Sequence, residues 1–592
     1  MLNTQAQPGD SITRDRGIIL LAAFVAVLPL IVHGASCGQD LDFHMTNWME
    51  TAAQWQHGIL WPRWAFTPAW GAGEPRFLFY PPLSWLLGGA LTLLMPVRMV
   101  PAAFTFITLT ACGLTMRRLA AEWTSSCCAL LAAVFYMTNP YMLFCAYERS
   151  AYGELLAAAW MPLLLLAVLR LHISVRSIAV PVALLWLTNA PSAVMSCYLF
   201  ALIALLRLAL LCRHSFTQRR MQTMLPFALR SLGGVALGMG LAAFYIVPAA
   251  WERRWIQVEM VIQPPMDIAS NTLFRHTFDA DHDAVLHTAS CLALLLIAVA
   301  AVLLLAAWRQ HGRSPLRAQS PLLMLIAAAV FSIAFALTPL SLFAWLHLPE
   351  LRFLQFPWRL LALGGVLCGL LLALAARGRR FALQNRFLLA AAILLPMLLV
   401  PLAYRQFSQI CYDEDVPSTQ VAAFRAGDGI DPTDEYTPRT ADNDALNDNT
   451  CNSWITMDPQ RTVQNPGTIK NGIEFSLTRN FRVPPANAAS PQHYFVIRLR
   501  NYPAWQVRVN GNDAQSIPRP DGLIAIALPQ AEAAEISIRY RTLPDEGIGV
   551  LISLVSLIIF LLGHRRARHR GMHALYMPIK PSSPFMAAAL PT

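Results

Sequence analysis

Long apolar runs separated by short polar segments dominate the pattern of this chain. Runs such as GIILLAAFVAVLPLIVH (17–33) and LLALGGVLCGLLLALAA (360–376) approach or reach the roughly 20 apolar residues that a helix needs to cross a bilayer. We therefore predict an α-helical polytopic membrane protein with about 12 spans. The predicted spans lie near 17–33, 99–116, 127–145, 153–171, 177–190, 193–212, 225–249, 286–308, 320–340, 358–376, 386–404 and 546–563.

Clusters of basic residues between the apolar runs predict which ends of the spans face the cytoplasm. These clusters are Arg117 with Arg118, Arg170 with Arg176, and the segments 213–220, 308–317, 376–386 and 564–570. One hairpin of two spans fits between consecutive clusters, so both termini are predicted to be cytoplasmic. The run 81–96 is also apolar, but a crossing there would place Arg117 and Arg118 outside. We therefore predict a juxtamembrane or re-entrant helix at 81–96.

Two polar regions are then predicted to face outward, the loop 34–98 and the segment 405–543. The segment opens with an acidic stretch rich in Pro and Asn and continues with short runs of alternating apolar and polar residues, as half-buried β-strands do. The predicted strands are GIEFSL (472–477), YFVIRLR (494–500), WQVRV (505–509), LIAIAL (523–528) and EISIRY (535–540), with turns at 510–512 and 518–522.

These patterns divide the chain into three predicted parts. Residues 1–404 form the membrane domain, 405–543 form an extracytoplasmic β-sandwich-like domain, and 544–592 form a last span with a basic cytoplasmic tail.

Composition supports the membrane assignment and narrows the function classes. The chain is 56% apolar and 13% charged, whereas soluble domains carry about a quarter charged residues. The net charge of +11 is spread over clusters between apolar runs rather than along one stripe with interleaved aromatics, so we predict no nucleic-acid partner. The sequence contains no Walker A, dinucleotide-binding, GxSxG or CxxC pattern, which argues against an ATP-driven mechanism within this chain.

Cys411 and Cys451 differ from most of the 11 cysteines because they lie in the outer polar segment rather than in an apolar run. In an oxidising compartment they are candidates for a disulfide, and the paired and unpaired states stay open at this point.

The first outer loop carries chemistry-bearing residues directly after the first span. Asp40, Asp42 and His44 come first, and Arg63, Arg76 and Tyr80 follow among several tryptophans. Acids with aromatic faces suit sugars, and arginines suit phosphates. The plain alternative is an ordinary interface loop, because Trp and Tyr are enriched at any membrane surface. The first three residues are also candidate metal ligands.

Two further groups of ionisable residues lie at the predicted outer ends of spans. YERSAYGE (147–154) contains Glu148, Arg149 and Glu154. One interpretation is that these residues bind substrate, and the other is that they form an ion pair that holds two helices together. LRFLQFPWRLL (351–361) contains Arg352 and Arg359. One interpretation is that these arginines bind a lipid phosphate as substrate, and the other is that their side chains extend to the lipid headgroups. The His- and Asp-rich segment 271–283 is interpreted as a solvated loop rather than a metal site.

With these residues in place, the sequence resembles a known family. HGILWPRW (57–64), GAGEPRFLFYPPLSW (71–85), ERSAYGELLAAAWMPLLLL (148–166) and LQFPWRLLAL (354–363) resemble bacterial membrane proteins of the GT-C glycosyltransferase superfamily. Within it, the similarity is to the group labelled "6-pyruvoyl-tetrahydropterin synthase-related domain, membrane protein". NYPAWQVRVNG (501–511) and DGLIAIALP (521–529) are similar to the C-terminal β-domain of that group.

The resemblance implies an enzyme of the bacterial cytoplasmic membrane that takes a sugar from a polyprenyl-phosphate-linked donor on the outer face. The acceptor would be an envelope glycan, lipid or protein, and Asp40 or Asp42 would be the general base, with the choice between them open. Substrate would contact His44, Arg63, Arg76, Tyr80, Glu148, Arg149, Glu154, Arg352 and Arg359. A divalent metal ion is the one candidate cofactor.

Two other function classes compete with this interpretation. A transporter or flippase of lipid-linked glycans would hold charges near mid-membrane and show paired halves, whereas the ionisable residues here concentrate at the predicted outer ends. A noncatalytic envelope-assembly protein would use the β-domain to bind a partner.

Overall fold

The protein is mostly helical, with a β-rich region before its last helix. A computed structural model describes residues 8–212, 218–312, 320–377, 381–412, 416–446, 448, 450–464, 472–485, 491–530 and 532–575. The predicted basic clusters 213–220, 308–317 and 376–386 lie partly outside the described residues.

The described helices follow the apolar runs closely. They are α1 (Pro8–His33), α2 (Leu41–Gln56), α3 (Arg76–Phe79), α4 (Pro82–Leu94), α5 (Val100–Ala120), α6 (Ser126–Thr138), α7 (Pro140–Tyr147), α8 (Tyr152–Ala158), α9 (Met161–Leu169), α10 (Val175–Thr188), α11 (Ala190–Cys212), α12 (Gln218–Leu241), α13 (Ala243–Glu252), α14 (Ala280–Gly312), α15 (Ser320–Ala336), α16 (Leu342–His347), α17 (Leu361–Ala375), α18 (Phe381–Phe407), α19 (Pro417–Ala426) and α20 (Pro544–Leu575).

Ten helical stretches among the described residues are long and apolar enough to cross a membrane, which confirms a multi-pass architecture. The predicted span 320–340 is instead part of a pair of helices, α15 and α16, that meet at a 95° bend. The predicted span 177–190 corresponds to α10, which has only 14 residues. The exact number of spans therefore stays a prediction.

The apolar run 81–96 forms the 13-residue helix α4, about 20 Å long and thus shorter than the hydrocarbon core. It packs so closely on α2 that any side chain at Gly88 would overlap the ring of Trp48. Helix α2 itself is enclosed on nearly all sides, since every residue from His44 to Ala52 is buried. Whether α4 lies on or re-enters the membrane stays a prediction.

The β-rich region contains two antiparallel sheets, in agreement with the predicted sandwich-like domain. The strands are β1 (Ser453–Thr456), β2 (Thr478–Val483), β3 (Tyr494–Arg500), β4 (Trp505–Val509), β5 (Asn512–Asp513), β6 (Leu523–Ala527) and β7 (Ala534–Tyr540). One sheet has the order β1-β3-β6 and the other β2-β7-β4-β5. The predicted turn at 510–512 is confirmed, and Asn510 and Gly511 both adopt positive φ there.

The predicted strand 472–477 is wrong, because the strand begins only at Thr478. The alternation of Ile473, Phe475 and Leu477 is interrupted at Arg479, whereas the residues that pair with β7 are 478–483. The predictions at 494–500 and 505–509 match β3 and β4, and those at 523–528 and 535–540 match β6 and β7 within one residue at an end.

The first outer loop contributes directly to the core of the β-rich region. Trp64 and Phe66 are buried in one apolar cluster with Tyr502 and Trp505, and the rings of Trp64 and Trp505 meet edge to face at 5.6 Å. The loop and the β-rich region thus form one structural unit above the spans.

The candidate Cys411–Cys451 pair is not formed, since Cys411 is bonded to Cys37 and Cys451 is a free thiol. The two cysteines were candidates because they share one polar segment, but the fold brings the end of α18 beside the residues that follow α1. The disulfide ties the chain three residues before Asp40 to the connection that leads into the β-rich region.

Candidate active site

A cavity of about 1030 Å³ lies where the first outer loop, the ends of several spans and the connection to the β-rich region meet. Its lining residues come from 39–49, 67–81, 149–154, 189–191, 260–266, 353–359 and 419–436. Most of the residues predicted from sequence to form a site are among them: Asp40, Asp42, His44, Arg76, Tyr80, Arg149, Glu154 and Arg359.

Two arginines and two carboxyl groups meet at one end of this cavity. Arg149 donates from Nη1 to Glu154 Oε2 over 2.8 Å, and its Nη2 lies 3.6 Å from Asp40 Oδ2. Arg359 Nε lies 3.4 Å from the same Glu154 oxygen. The side chains of Arg149 and Glu154 are 1% and 4% exposed, whereas that of Asp40 is 38% exposed. Asp40 is therefore the member of the cluster that reaches into open space.

The break between α7 and α8 determines where Arg149 lies relative to Asp40. Helix α7 ends at Tyr147, and Ser150 turns the chain with a φ of 49° before α8 begins. The carbonyl of Arg149 accepts a hydrogen bond from the Asp40 amide over 2.9 Å. The first loop approaches so closely here that a side chain at Gly38 would overlap Ser150. Backbone contacts thus fix Asp40 beside the arginine.

Burial and charge act in opposite directions on these groups. Burial raises the pKa of Asp40 above its ordinary value, although Arg149 and Arg359 oppose the rise. Burial lowers the pKa of Arg149, but the negative charges of Glu154 and Asp40 raise it by more than burial lowers it. The guanidinium is therefore held as a cation. The site therefore combines a fixed positive charge with a carboxyl group that takes up a proton more readily than in water.

His44 lies within an aromatic enclosure rather than in a metal site. Its ring contacts those of Phe43, Tyr80 and Tyr152 at centroid distances of 5.6, 5.8 and 5.3 Å. Burial, with a smaller contribution from Arg149, lowers the pKa of His44 to about 3, so the imidazole is neutral. Aromatic faces of this kind suit the apolar face of a sugar ring.

The predicted metal ligands Asp40, Asp42 and His44 do not assemble as a metal-binding group. Throughout the described part of the chain, no set of three or more His, Cys, Asp or Glu side chains could hold an ion. The same holds for the segment 271–283, where His282 contacts Asn271 Oδ1 at 2.8 Å.

Arg76 lines the cavity, but its guanidinium is engaged by protein groups. It donates to Glu74 Oε1 over 2.7 Å, to Asn47 Oδ1 over 3.0 Å and to Thr433 Oγ1 over 2.6 Å. The Thr433 amide in turn donates to Glu74 Oε2 over 3.0 Å. Three of the five N–H groups of Arg76 thus join the first loop to the connection that precedes the β-rich region. A substrate-binding role for Arg76 stays a prediction.

Three predicted substrate-binding residues lie outside the cavity lining. Arg63 pairs with Glu546 at 2.7 Å beneath the β-rich region, and Arg352 forms an exposed ion pair with Glu259 at 2.9 Å. Glu148 is buried behind the cluster, and its burial raises the pKa of its carboxyl to about 7. Sequence proximity grouped these residues with their neighbours, but each side chain points to a different partner.

The acidic stretch after α19 forms a wall of the cavity that sequence reasoning did not assign to a site. Asp428, Asp431, Asp434 and Glu435 all line it. The high density of acids was visible in the sequence, but nothing there indicated that the stretch folds back over the first loop. Tyr141 was also missed, and its hydroxyl donates to Glu154 Oε1 over 2.5 Å.

No protein-family model matches this chain, and no curated protein matches it. The fold has likenesses among solved structures. The mycobacterial arabinofuranosyltransferase AftD is 17% identical at a TM-score of 0.42, over 72% of this chain and 30% of that one. The apo oligosaccharyltransferase of Archaeoglobus fulgidus is 13% identical at a TM-score of 0.38, over 69% of this chain and 59% of that one.

This chain thus spans about a third of the first protein and under two thirds of the second. Both names are of sugar-transferring enzymes. At TM-scores below 0.5 the likeness carries no argument about the activity of this chain.

Proposed function

We propose that this protein is a membrane glycosyltransferase that moves a sugar from a polyprenyl-phosphate-linked donor to a cell-envelope acceptor. The observation that carries the proposal is Asp40, a partly exposed carboxyl group, in one large cavity with the buried guanidinium group of Arg149 and the half-buried one of Arg359. A glycosyl transfer of this type needs those two elements, a base for the acceptor hydroxyl and cations for the leaving phosphate.

The arginines would hold the donor's phosphate. Arg149 Nε is buried without a hydrogen-bond partner, and Arg359 Nε makes no hydrogen bond but lies 3.4 Å from Glu154 Oε2. A phosphate oxygen beside the two guanidinium groups would accept hydrogen bonds from them, and charge-assisted bonds of this kind are the stronger ones.

Asp40 would act as the general base. Its carboxylate accepts the proton of an acceptor hydroxyl while that oxygen bonds to the anomeric carbon of the donor sugar. The bond from that carbon to the phosphate oxygen breaks at the same time, and polyprenyl phosphate leaves with the electron pair. Attack opposite the leaving group inverts the anomeric carbon. We favour Asp40 over Asp42 because Asp40 lies next to the arginines, whereas Asp42 is exposed.

The test is transfer from a radiolabelled polyprenyl-phosphate sugar in membranes that carry Asp40→Asn, Asp42→Asn or both. We expect Asp40→Asn to lower the rate by at least about a hundredfold, as the loss of a general base does. Asp444→Asn, an exposed acid in a short helical turn, is the matched control. Undiminished transfer by the double variant, with folded protein present, would contradict the mechanism.

The rival transporter function is separated by reconstitution into vesicles. Movement of a lipid-linked sugar across the bilayer without formation of a new glycoside would favour transport. Placement in a bacterial cytoplasmic membrane, with both termini inside and the β-rich region in the periplasm, belongs to this proposal and is checked by reporter fusions at each terminus. A metal requirement stays a prediction, which addition of a chelator to the transfer assay tests.

A further inference from the structure

A second group of buried ionisable residues lies away from the cavity, where four parts of the chain meet. Glu252 ends α13, Asp545 and Glu546 begin α20, Tyr502 belongs to the β-rich region and Arg63 to the first outer loop. Glu252, Asp545 and Glu546 are 1%, 6% and 4% exposed. Three carboxyl groups are thus buried together at the joint between the membrane helices and the β-rich region.

The contacts leave this group short of positive charge. Arg63 Nη2 lies 2.7 Å from Glu546 Oε2 and neutralises that carboxylate. Tyr502 donates its hydroxyl to Glu252 Oε2 over 2.6 Å. The other oxygen of Glu252 and the Oδ2 atom of Asp545 are buried without a partner, although the two carboxyl groups are within hydrogen-bonding reach of each other.

The neighbouring arginines are directed elsewhere. Arg253 pairs with Glu350 at 3.1 Å, and Arg254 lies over the rings of Trp251 and Trp255. The groups that face Glu252 are Tyr502 and Tyr540 from the β-rich region and the two acids of α20. None of these is a cation, so a second negative charge beside Asp545 would be buried without compensation, which is costly.

We propose that a proton shared between Glu252 and Asp545 holds the β-rich region on the membrane helices, and that loss of this proton as the outer medium becomes alkaline loosens the joint. One proton satisfies both unpaired oxygens at once. The proposal is independent of the chemistry in the cavity, since none of these residues lines it.

The sign of the pH dependence follows from Glu252. Burial, Asp545 and Glu546 outweigh the hydrogen bond from Tyr502 and raise the pKa of Glu252 from 4.5 to about 8. The docked state therefore holds a proton that an opened, hydrated Glu252 releases. The equilibrium constant for docking of the β-rich region on the membrane helices is therefore largest at acid pH. It falls by up to about tenfold per pH unit between the pKa of Glu252 in the opened state and its pKa in the docked state, and it is constant above the latter.

The joint also controls the position of the cavity wall. Just after Glu252, the Gln257 amide donates to Thr437 O over 3.0 Å, and the Arg439 amide donates to Trp255 O over 2.9 Å. These bonds hold the chain that follows the acidic stretch 428–436. Opening of the joint should therefore be seen first in the exchange of these two amides.

The experiment is hydrogen exchange of the full chain in lipid nanodiscs, followed by mass spectrometry of peptides that contain Gln257 and Arg439. Wild type is compared with Glu252→Gln at each pH, so that the intrinsic pH dependence of exchange cancels. Glutamine keeps the acceptor for Tyr502 and offers an N–H to Asp545, so it imitates the protonated acid at every pH.

We expect the ratio of wild-type to variant exchange to be near one at about pH 5 and to rise at least about tenfold by about pH 8. Glu535→Gln, an exposed acid of the same region, is the control and should exchange like wild type throughout. Asp545→Asn is a second variant, and removal of the neighbouring charge should shift the end of the rise to lower pH. A ratio that stays flat, or an unshifted rise in Asp545→Asn, would overturn the proposal.

Discussion

The two groups of buried charges, one around Arg149 and one around Glu252, are stabilised in different ways. Around Arg149, two guanidinium groups face two carboxyl groups, and the group opens into a cavity. Around Glu252, three carboxyl groups share one arginine, and the group is closed. A buried carboxylate needs either a cation or a proton. The first arrangement can accept an anionic ligand, whereas the second can only respond to pH.

Arg149→Ala should have the largest effect, because it removes a cation from between two carboxyl groups and leaves Glu154 with Arg359. Loss of one partner of a buried ion pair costs about 3–5 kcal/mol of stability. Unfolding in detergent, followed by tryptophan fluorescence, measures this loss. Arg352→Ala breaks an exposed pair and should cost less than about 1 kcal/mol. Equal losses in the two variants would show that the Arg149 group is not buried as described.

Arg359→Gln should mainly affect binding. Glutamine retains hydrogen-bond donors but not the charge, and loss of a charge-assisted bond costs about 1.5–3 kcal/mol, or roughly a tenfold to hundredfold weaker affinity. Binding of a polyprenyl phosphate in detergent, measured by native mass spectrometry, tests this. Arg352→Gln is the matched control because Arg352 lies outside the cavity. Weaker binding by the control alone would move the phosphate site to the exposed arginine.

The smallest effect concerns the pH profile of transfer. A base must be ionised, so kcat/KM should fall as the pH is lowered through the pKa of Asp40, which burial raises above its ordinary 3.8. The fall of kcat/KM on the acid side should therefore have its midpoint above pH 3.8 in wild type. The midpoint should be unchanged in Asp42→Asn. A midpoint that shifts in Asp42→Asn would assign the base to that residue.

Local patterns were sufficient for most of the fold. The long apolar runs correspond to helices, and the runs 494–500 and 505–509 are the strands β3 and β4. Strand β1 has only four residues and carries too little alternation to stand out. In the candidate site, sequence reasoning found Asp40 because it directly follows the first span. It found Arg149, Glu154 and Arg359 because ionisable residues at the ends of spans are rare enough to be noticed.

The sequence by itself determined that this chain crosses a membrane, that a β-rich region precedes its last helix, and that its unusual ionisable residues gather in a few segments. Those properties follow from length, periodicity and local composition. Only the tertiary structure decided that Cys411 bonds to Cys37, that Arg76 is bound by Glu74, Asn47 and Thr433, and that an acidic stretch covers the cavity. Most of these contacts join segments hundreds of residues apart, so no local pattern specifies them. How many N–H groups of an arginine stay available for a ligand depends on which segments meet around it.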